Sequence, residues 1–274
     1  MAVNCRAQRT LSVGAAALVV VAIAQAQEFH MEFVAIAPGE FVMGCASDNL
    51  PSLPDGTWSP CPNAAKPAHH VRITRPFEIG KYEVTQAQWE DVEGTNPSHF
   101  QGPDLPVEQI TWDEVHEFLA RLNARNDGYR YRLPAEAEWE YCARAGSTGQ
   151  FGGSPLQDTA WYGADRGQAP VTETSGGTHP VGTKAPNTWG LFDLFGNVAE
   201  WVEDWYSDTY YRSSPVNDPT GPSEGKYHVA RGGSWFSNAS YVRVWNRYQT
   251  VPVLKRRDVG FRCVRESVVR TAHP

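Results

Sequence analysis

Apolar and polar positions change their period several times along the chain, and each change predicts a different element. Glu32 to Ile36 and Glu40 to Gly44 read as two strands, with Pro38-Gly39 turning them into a hairpin. After a proline-rich stretch from Pro51 to Pro67, Val71-Arg72-Ile73-Thr74 alternates with period two and Phe77 to Val84 follows it. These segments predict sheet strands with one buried face. Three helices come next. Thr85-Gln86-Ala87-Gln88 places a hydroxyl to accept an early backbone N–H and an amide to reach back, giving a helix over Gln86 to Glu93. Thr111-Trp112-Asp113-Glu114 repeats the device, and Val115, Phe118, Leu119 and Leu122 form an i, i+3, i+4, i+7 stripe that needs a packing partner. A third helix starts after Leu133-Pro134, runs through Ala135 to Cys142 and stops at Gly146. From Ser147 to Pro222 the periodicity fades into Gly, Pro, Asn, Asp and aromatic residues, which predicts an irregular region held by aromatic packing and backbone hydrogen bonds.

The first 26 residues fall outside this pattern. Arg6 and Arg9 precede an uncharged run from Leu11 to Ala24, and Ala24-Gln25-Ala26 follows as a small-x-small triplet. This is the layout of a secretory signal peptide cleaved after about Ala26, and the run is shorter than the ~20 residues of a membrane-spanning helix. The expected division is therefore 1–26 signal peptide and 27–274 one domain, exported and without stable membrane insertion. Removing a segment with two Arg and no acid takes the formal net charge from −7 to −9. No Lys/Arg run exceeds Lys255-Arg256-Arg257, which reads as a solvated loop, so a nucleic-acid partner is not expected.

Composition adds ten Trp, eleven Tyr, eleven Phe, 24 Gly and 20 Pro, which favours a loop-rich, aromatic-packed domain over a helical bundle. Four cysteines follow the signal segment: Cys45, Cys61, Cys142 and Cys263. In an exported chain an even number predicts two disulfides, although four cysteines allow three connectivities. The economical pairing joins Cys45 to Cys61 across the proline-rich loop and Cys142 to Cys263 from helix to C-terminal strand. By loop entropy each contributes about 3 to 5 kcal/mol.

Candidate chemistry concentrates in Leu191 to Trp201, where Asp193 and Glu200 bracket a Gly196-Asn197 turn. Two carboxylates with carbonyls between them suit a hard cation such as calcium, and serve equally well to cap a turn or pair with arginine. His69 and His70 would point to opposite faces of an extended segment, and no histidine pair has the i, i+4 spacing of a helical zinc site. Gly-x-Ser-x-Gly and phosphate-cradling glycine loops are missing from the sequence.

Taken in order, Pro38-Gly39-Glu40-Phe41-Val42-Met43-Gly44, Tyr82-Glu83-Val84-Thr85, Pro106-Val107, Arg132 to Tyr141, Gly190-Leu191-Phe192-Asp193, Gly196 to Trp201, Arg231-Gly232-Gly233-Ser234-Trp235 and Gly260-Phe261-Arg262-Cys263 form a recognisable set. The chain resembles the formylglycine-generating enzyme, or sulfatase-modifying factor, family over about Glu32 to Glu266. The resemblance implies an α+β, atypical C-type-lectin-like fold with low regular secondary structure. It implies a structural calcium held by the side chains of Asp193 and Glu200 and the carbonyls of Gly196 and Val198, and a family disulfide on Cys142 and Cys263. A second family calcium site would fall near Glu173 to Ser175.

Members that make formylglycine use two cysteines, five residues apart after Gly-Gly-Ser, to bind copper(I) and activate oxygen. Ser237 and Val242 stand at those positions, and neither offers the soft thiolate that copper(I) prefers. The resemblance leaves a groove of Ser234, Trp235, Phe236, Ser237, Tyr241, Arg243, Trp245, Arg247 and Tyr248. In it the two serines would orient a substrate and the arginines would hold an anionic or phenolate group. Exported members without the pair include one that oxidises dihydropyoverdine, the precursor of a peptide siderophore chromophore. The expectation is a periplasmic protein of that kind acting on a peptide or peptide-siderophore substrate, with an unidentified redox cofactor. The alternative is a peptide- or partner-binding module without catalysis.

Overall fold

The computed structural model describes residues 1, 30–46, 50–54, 56–163 and 176–268. Apart from Met1, the expected signal peptide lies outside the described residues, as does the second calcium position near Glu173 to Ser175. In chain order the elements are β1 (Phe33–Ile36), β2 (Gly39–Met43), β3 (His69–Ile73), β4 (Phe77–Gly80), α1 (Gln86–Glu93), α2 (Trp112–Ala124), β5 (Tyr129–Arg132) and α3 (Glu136–Arg144). They continue with α4 (Leu156–Thr159), β6 (Ala160–Trp161), β7 (Phe195–Gly196), β8 (Ala199–Trp205), β9 (His228–Arg231), β10 (Tyr248–Thr250), β11 (Val259–Phe261) and β12 (Val264–Ser267). Two four-stranded sheets run in the orders β1-β4-β12-β5 and β10-β9-β8-β11, and β2-β3 and β6-β7 form two-stranded ladders. The class is α+β with little regular structure.

The helix signals translate directly. The Thr85 hydroxyl accepts the Gln88 N–H at 3.3 Å while Gln88 Oε1 accepts the Thr85 N–H at 2.9 Å. Thr111 and Glu114 make the same reciprocal pair at 3.1 and 2.8 Å. Each box satisfies donors that a helix start otherwise leaves open. The stripe of α2 is fully inside, and Phe118 stacks on Trp89 with ring centres 5.1 Å apart and meets Phe261 edge-on at 5.4 Å. Burial of each such side chain stabilises the fold by about 1.5–3 kcal/mol.

Three expectations need correction. Pro38-Gly39 does not close a hairpin: β1 pairs with β4 and β2 with β3, so the turn carries the chain from one sheet to another. The stretch after Ser147 is not uniformly irregular, because it contains the seven-residue β8, an inner strand of its sheet. Trp201 and Ala230 enter one apolar cluster while Val202 and Val229 enter the other. A strand buried on both faces shows no polar alternation. Finally, Cys45 and Cys61 are joined, but Cys142 and Cys263 are separate buried thiols. α3 puts Cys142 into the first cluster, whereas the link between β11 and β12 puts Cys263 into the second. Burial raises both thiol pKa values, which keeps them protonated and inert.

Helix α3 carries charge into the core on purpose-built partners. Glu136 accepts Arg247 Nε at 2.6 Å and Nη2 at 2.7 Å, and Glu140 accepts Arg144 Nη2 at 2.7 Å together with Arg231. Burial alone would raise Glu136, but Arg247 and Arg231 facing it hold its carboxyl below the usual range. Asp204 of β8 accepts the Glu136 N–H at 2.7 Å, a carboxylate at the start of α3. Burial, with Glu136 close by, pushes Asp204 well above its ordinary value.

Glu108 fixes another wall. It is fully buried, its Oε1 accepts the Phe100 N–H at 2.8 Å, and its Oε2 has no partner among the described residues. Phe100 in turn meets Trp235 edge-on at 5.4 Å. Burial pushes the Glu108 carboxyl up to about 7, against the backbone donors that lower it. Between the unfolded value near 4.5 and about 7 the folded protein keeps a proton that the unfolded chain has released. Stability contributed by this proton is present at low pH and is lost as pH rises through that window. Urea unfolding at a series of pH values should show this decline, and Glu108→Gln should flatten it and be relatively more stable near pH 8.

Candidate functional site

The segment leaving β9 supplies the site. Gly233 turns at φ 73°, and a Cβ there would lie 2.6 Å from Val242 Cγ1, so the backbone passes against the core before Ser234. Ser234, Phe236, Ser237, Tyr241, Tyr248, Arg256 and Asp258 line a cavity of about 290 Å³. Ser234 Oγ lies 3.4 Å from both Ser237 Oγ and Asp258 Oδ2, and Ser237 Oγ accepts the Ser234 N–H at 3.1 Å. Arg256 forks Asp258 at 2.9 and 2.8 Å. Phe236 and Tyr241 are 45% and 54% exposed at the rim. Tyr241 stacks near Tyr248, whose hydroxyl donates to the Tyr241 carbonyl. Burial raises the Tyr248 phenol, which stays neutral. The arrangement offers hydroxyls, one carboxylate and aromatic faces.

The expected groove residues divide. Ser234, Ser237 and Tyr241 face this cavity, and Trp235 lines the adjoining one. Arg243, Trp245 and Arg247 do not. Arg243 is buried and donates to the Ser59 and Pro60 carbonyls at 2.8 and 3.1 Å, bracing the disulfide loop, with Trp245 packed beneath its guanidinium. Arg247 is committed to Glu136 and also donates to the Ala64 and Ser207 carbonyls at 3.0 and 2.8 Å. Guanidinium groups this deep need hydrogen-bond acceptors or a counter-charge, and sequence spacing does not reveal partners 111 to 184 residues away. Val242 lies wholly in the core, and both free thiols are buried outside the cavity lining. Asp258 and Arg256 were not singled out by sequence. Their signal was a carboxylate two residues from a cation beside the Gly260-Phe261-Arg262 motif.

The proposed cation loop is tightly wound: Asp193, Gly196 and Asn197 have φ of 55°, 82° and 54°. A Cβ at Gly196 would sit 2.1 Å from the Trp161 carbonyl oxygen, so only glycine fits there. Glu200 accepts Arg262 Nε and Nη2 at 2.7 and 2.6 Å and Trp139 Nε1 at 2.7 Å, which realises the arginine-pairing alternative. Asp193 Oδ2 accepts the Gly182 N–H at 2.6 Å, but its buried Oδ1 has no partner among the described residues. Burial pushes Asp193 up to about 6, and burial with Asp193 and Glu200 nearby pushes Glu83 well above its ordinary value. Three buried carboxylates thus share Arg262, a charge excess that suits a divalent cation. Among the described residues no three His, Cys, Asp or Glu side chains form a cage, so such a cation would rely on the Gly196 and Val198 carbonyls as well.

His228 is sandwiched by Trp112 and Trp205 at 4.0 and 3.7 Å, and burial lowers its pKa. It belongs to the core and not to the cleft.

Comparison with known proteins places this geometry. Residues 21–267 match the model of the sulfatase-modifying factor enzyme 1-like domain. The formylglycine-generating enzyme of Streptomyces coelicolor is 36% identical over 195 residues, covering 67% of this chain and 60% of that enzyme. Chaperone protein LppX of Paenibacillus barcinonensis is 33% identical over 213 residues, 61% of this chain and 72% of that protein. Among solved structures, PvdO from Pseudomonas aeruginosa superposes with a TM-score of 0.72 at 28% identity, covering 87% of this chain and 95% of PvdO. A family model spanning nearly all described residues, a relative 36% identical over 195 residues and the shared fold agree, and the chain belongs to the formylglycine-generating enzyme (sulfatase-modifying factor) family.

Proposed function

We propose that this protein is an exported, formylglycine-generating-enzyme-like protein that works without a thiol pair and takes an aromatic group of a peptide into the Ser234–Ser237 cavity. The observation that carries this reading is the composition of the cavity: Ser237 opens onto it, Val242 is buried behind it, and Phe236 and Tyr241 stand exposed at its rim. Copper(I) chemistry of the formylglycine type has no soft ligand here. The Cys45–Cys61 bridge supports an oxidising compartment such as the periplasm, and no helix among the described residues is long and apolar enough to cross a membrane.

The likeness to PvdO supports a finer reading, oxidative maturation of a pyoverdine-type siderophore chromophore from its dihydro precursor. That conversion removes two electrons and two protons. The cleft side chains would hold the aromatic ring, and Asp258 would relay one of the two protons, both of which end on the dioxygen that accepts the electrons. The electrons would pass to an external acceptor, dioxygen being reduced to hydrogen peroxide. The matched regions span only 60% of the Streptomyces coelicolor enzyme, so its activity does not transfer whole. A second reading, peptide binding without chemistry, is favoured by the lack of a thiol or any other two-electron acceptor among the side chains of the cavity lining.

In the same proposal Asp193 and Glu200, with the Gly196 and Val198 carbonyls, bind calcium as a structural ion. Its role would be to neutralise the carboxylate excess and hold the loop ahead of β8.

Calcium at about 100-fold over its dissociation constant should then stabilise the protein by about 2.7 kcal/mol in thermal or urea unfolding. A chelator should reverse the gain and Asp193→Asn should abolish it. For the function, purified protein incubated with dihydropyoverdine in air should accelerate the loss of two hydrogens and the appearance of a red-shifted chromophore. Binding of that compound without acceleration, across several added metals, would assign the protein to the binding-module reading. Absence of binding would sink both.

A further inference from the structure

A buried carboxylate stands behind the aromatic wall of the cleft. Glu108 is wholly enclosed; its N–H donates to Ser98 Oγ at 3.2 Å and its Oε1 accepts the Phe100 N–H at 2.8 Å. The His99 N–H is a second backbone donor to the carboxyl. Glu108 therefore pins the turn over residues 98–100, and that turn sets the Phe100 ring edge-on to Trp235 at 5.4 Å. Trp235 Nε1 in turn donates to the Arg257 carbonyl at 3.2 Å, and the Arg257 charge acts back on Glu108. Gln109, next in the chain, is held at φ 61° with its N–H bonded to the Arg256 carbonyl at 2.9 Å, which ties the two segments a second time. Glu108, Phe100, Trp235 and Arg257 thus close a circuit of interactions beside a cavity of about 340 Å³. That cavity shares Phe236, Arg256 and Asp258 with the serine cavity, and the basic triplet lines it, so Lys255-Arg256-Arg257 is not merely a solvated loop.

One member of this circuit can gain or lose a proton. Burial raises the Glu108 carboxyl to about 7, with Asp258 adding to the rise and the two backbone donors and Arg257 opposing it. The remaining cations of the wall are engaged elsewhere, Lys255 with Glu114 at 2.6 Å and Arg256 with Asp258 at 2.8 Å. His99, exposed at the same cavity, is a second titratable side chain close by. Glu108 Oε2 has no partner among the described residues, so the charge left by a departing proton is met only from the Arg257 side and by the two N–H donors. It draws these groups toward the carboxyl, at the desolvation cost that makes the ionised form the less stable one.

We propose that Glu108 is a positioning residue of the cleft, acting through Phe100 and Trp235, and that gain or loss of its proton resets the Trp235 wall. The inference goes beyond the functional reading above and holds whichever ligand the cleft takes. Any molecule seated against Trp235 meets a wall whose geometry changes across neutral pH.

Nuclear magnetic resonance of the Trp235 indole N–H in the full chain tests this, with Trp235→Phe assigning the signal. From about pH 5.5 to about pH 8.5 the signal should shift along a single titration curve with its midpoint at about 7. Glu108→Gln keeps an acceptor for the backbone donors but cannot ionise, and should remove the titration. His99→Gln should retain it. Arg257→Gln should retain it and raise the midpoint, because the guanidinium favours the ionised carboxylate. That variant leaves Glu108 in place and so decides the matter even if Glu108→Gln folds poorly. A titration that persists in Glu108→Gln or disappears in His99→Gln would overturn the proposal. So would an unmoved midpoint in Arg257→Gln, or a Trp235 signal that does not respond to pH.

Discussion

A carboxylate in a protein core must be matched by a cation or take up a proton, because an unpaired buried charge costs several kcal/mol. Helix α3 presents two such carboxylates one turn apart, Glu136 and Glu140, and much of the molecule is arranged around their partners. Glu140 takes Arg231, the last residue of β9, together with Arg144. Glu136 takes Arg247, immediately before β10. The cleft-forming segment is thus gripped at both ends by a single helix, and Arg243 adds a third anchor at the disulfide loop. What lies between, from Ser234 to Tyr241, anchors Ser234, Trp235 and Ala239 inside and turns Phe236 and Tyr241 to the surface. Position in the cleft follows from charge pairing beneath it.

The same rule sorts the acidic loop before β8. Glu200 is matched by the fork of Arg262 and by the Trp139 indole, whereas Asp193 keeps one buried oxygen without a donor among the described residues. Glu83 completes the cluster by accepting the Asn197 side-chain N–H at 2.6 Å and the Val198 N–H at 3.1 Å. The cluster therefore holds the loop, with Glu200 committed to Arg262 and Glu83 to the Asn197 and Val198 N–H groups.

How much was legible in the sequence depends on the range of each interaction. The Thr85 and Thr111 caps and the stripe of α2 are local, and they appear where the sequence puts them. The Cys45–Cys61 bridge spans only 16 residues and was also readable. β8 was hidden because both of its faces are buried and it contains Glu200, Glu203 and Asp204 in a seven-residue strand. Arg243 and Arg247 look like groove cations in sequence, yet their partners come from Ser59, Pro60 and Glu136, far away along the chain. Within the cleft, Ser234, Trp235, Ser237 and Tyr241 were visible through family motifs. The Lys255–Arg257 wall was not, since a basic triplet in a loop carries no sign of the cavity it lines.

The central claim, that the α3 carboxylates hold the cleft segment in place, is tested most directly by hydrogen–deuterium exchange on Glu140→Gln. The comparison is with Glu78→Gln, which alters a partly exposed pair with Arg265. The account predicts that peptides covering residues 231–247 lose protection by about tenfold or more in Glu140→Gln, since each ~1.4 kcal/mol of lost local stability is a factor of ten. The β1-β4-β12-β5 sheet should keep its protection in that variant, and Glu78→Gln should leave residues 231–247 unchanged. Unaltered exchange across residues 231–247 in Glu140→Gln would contradict it.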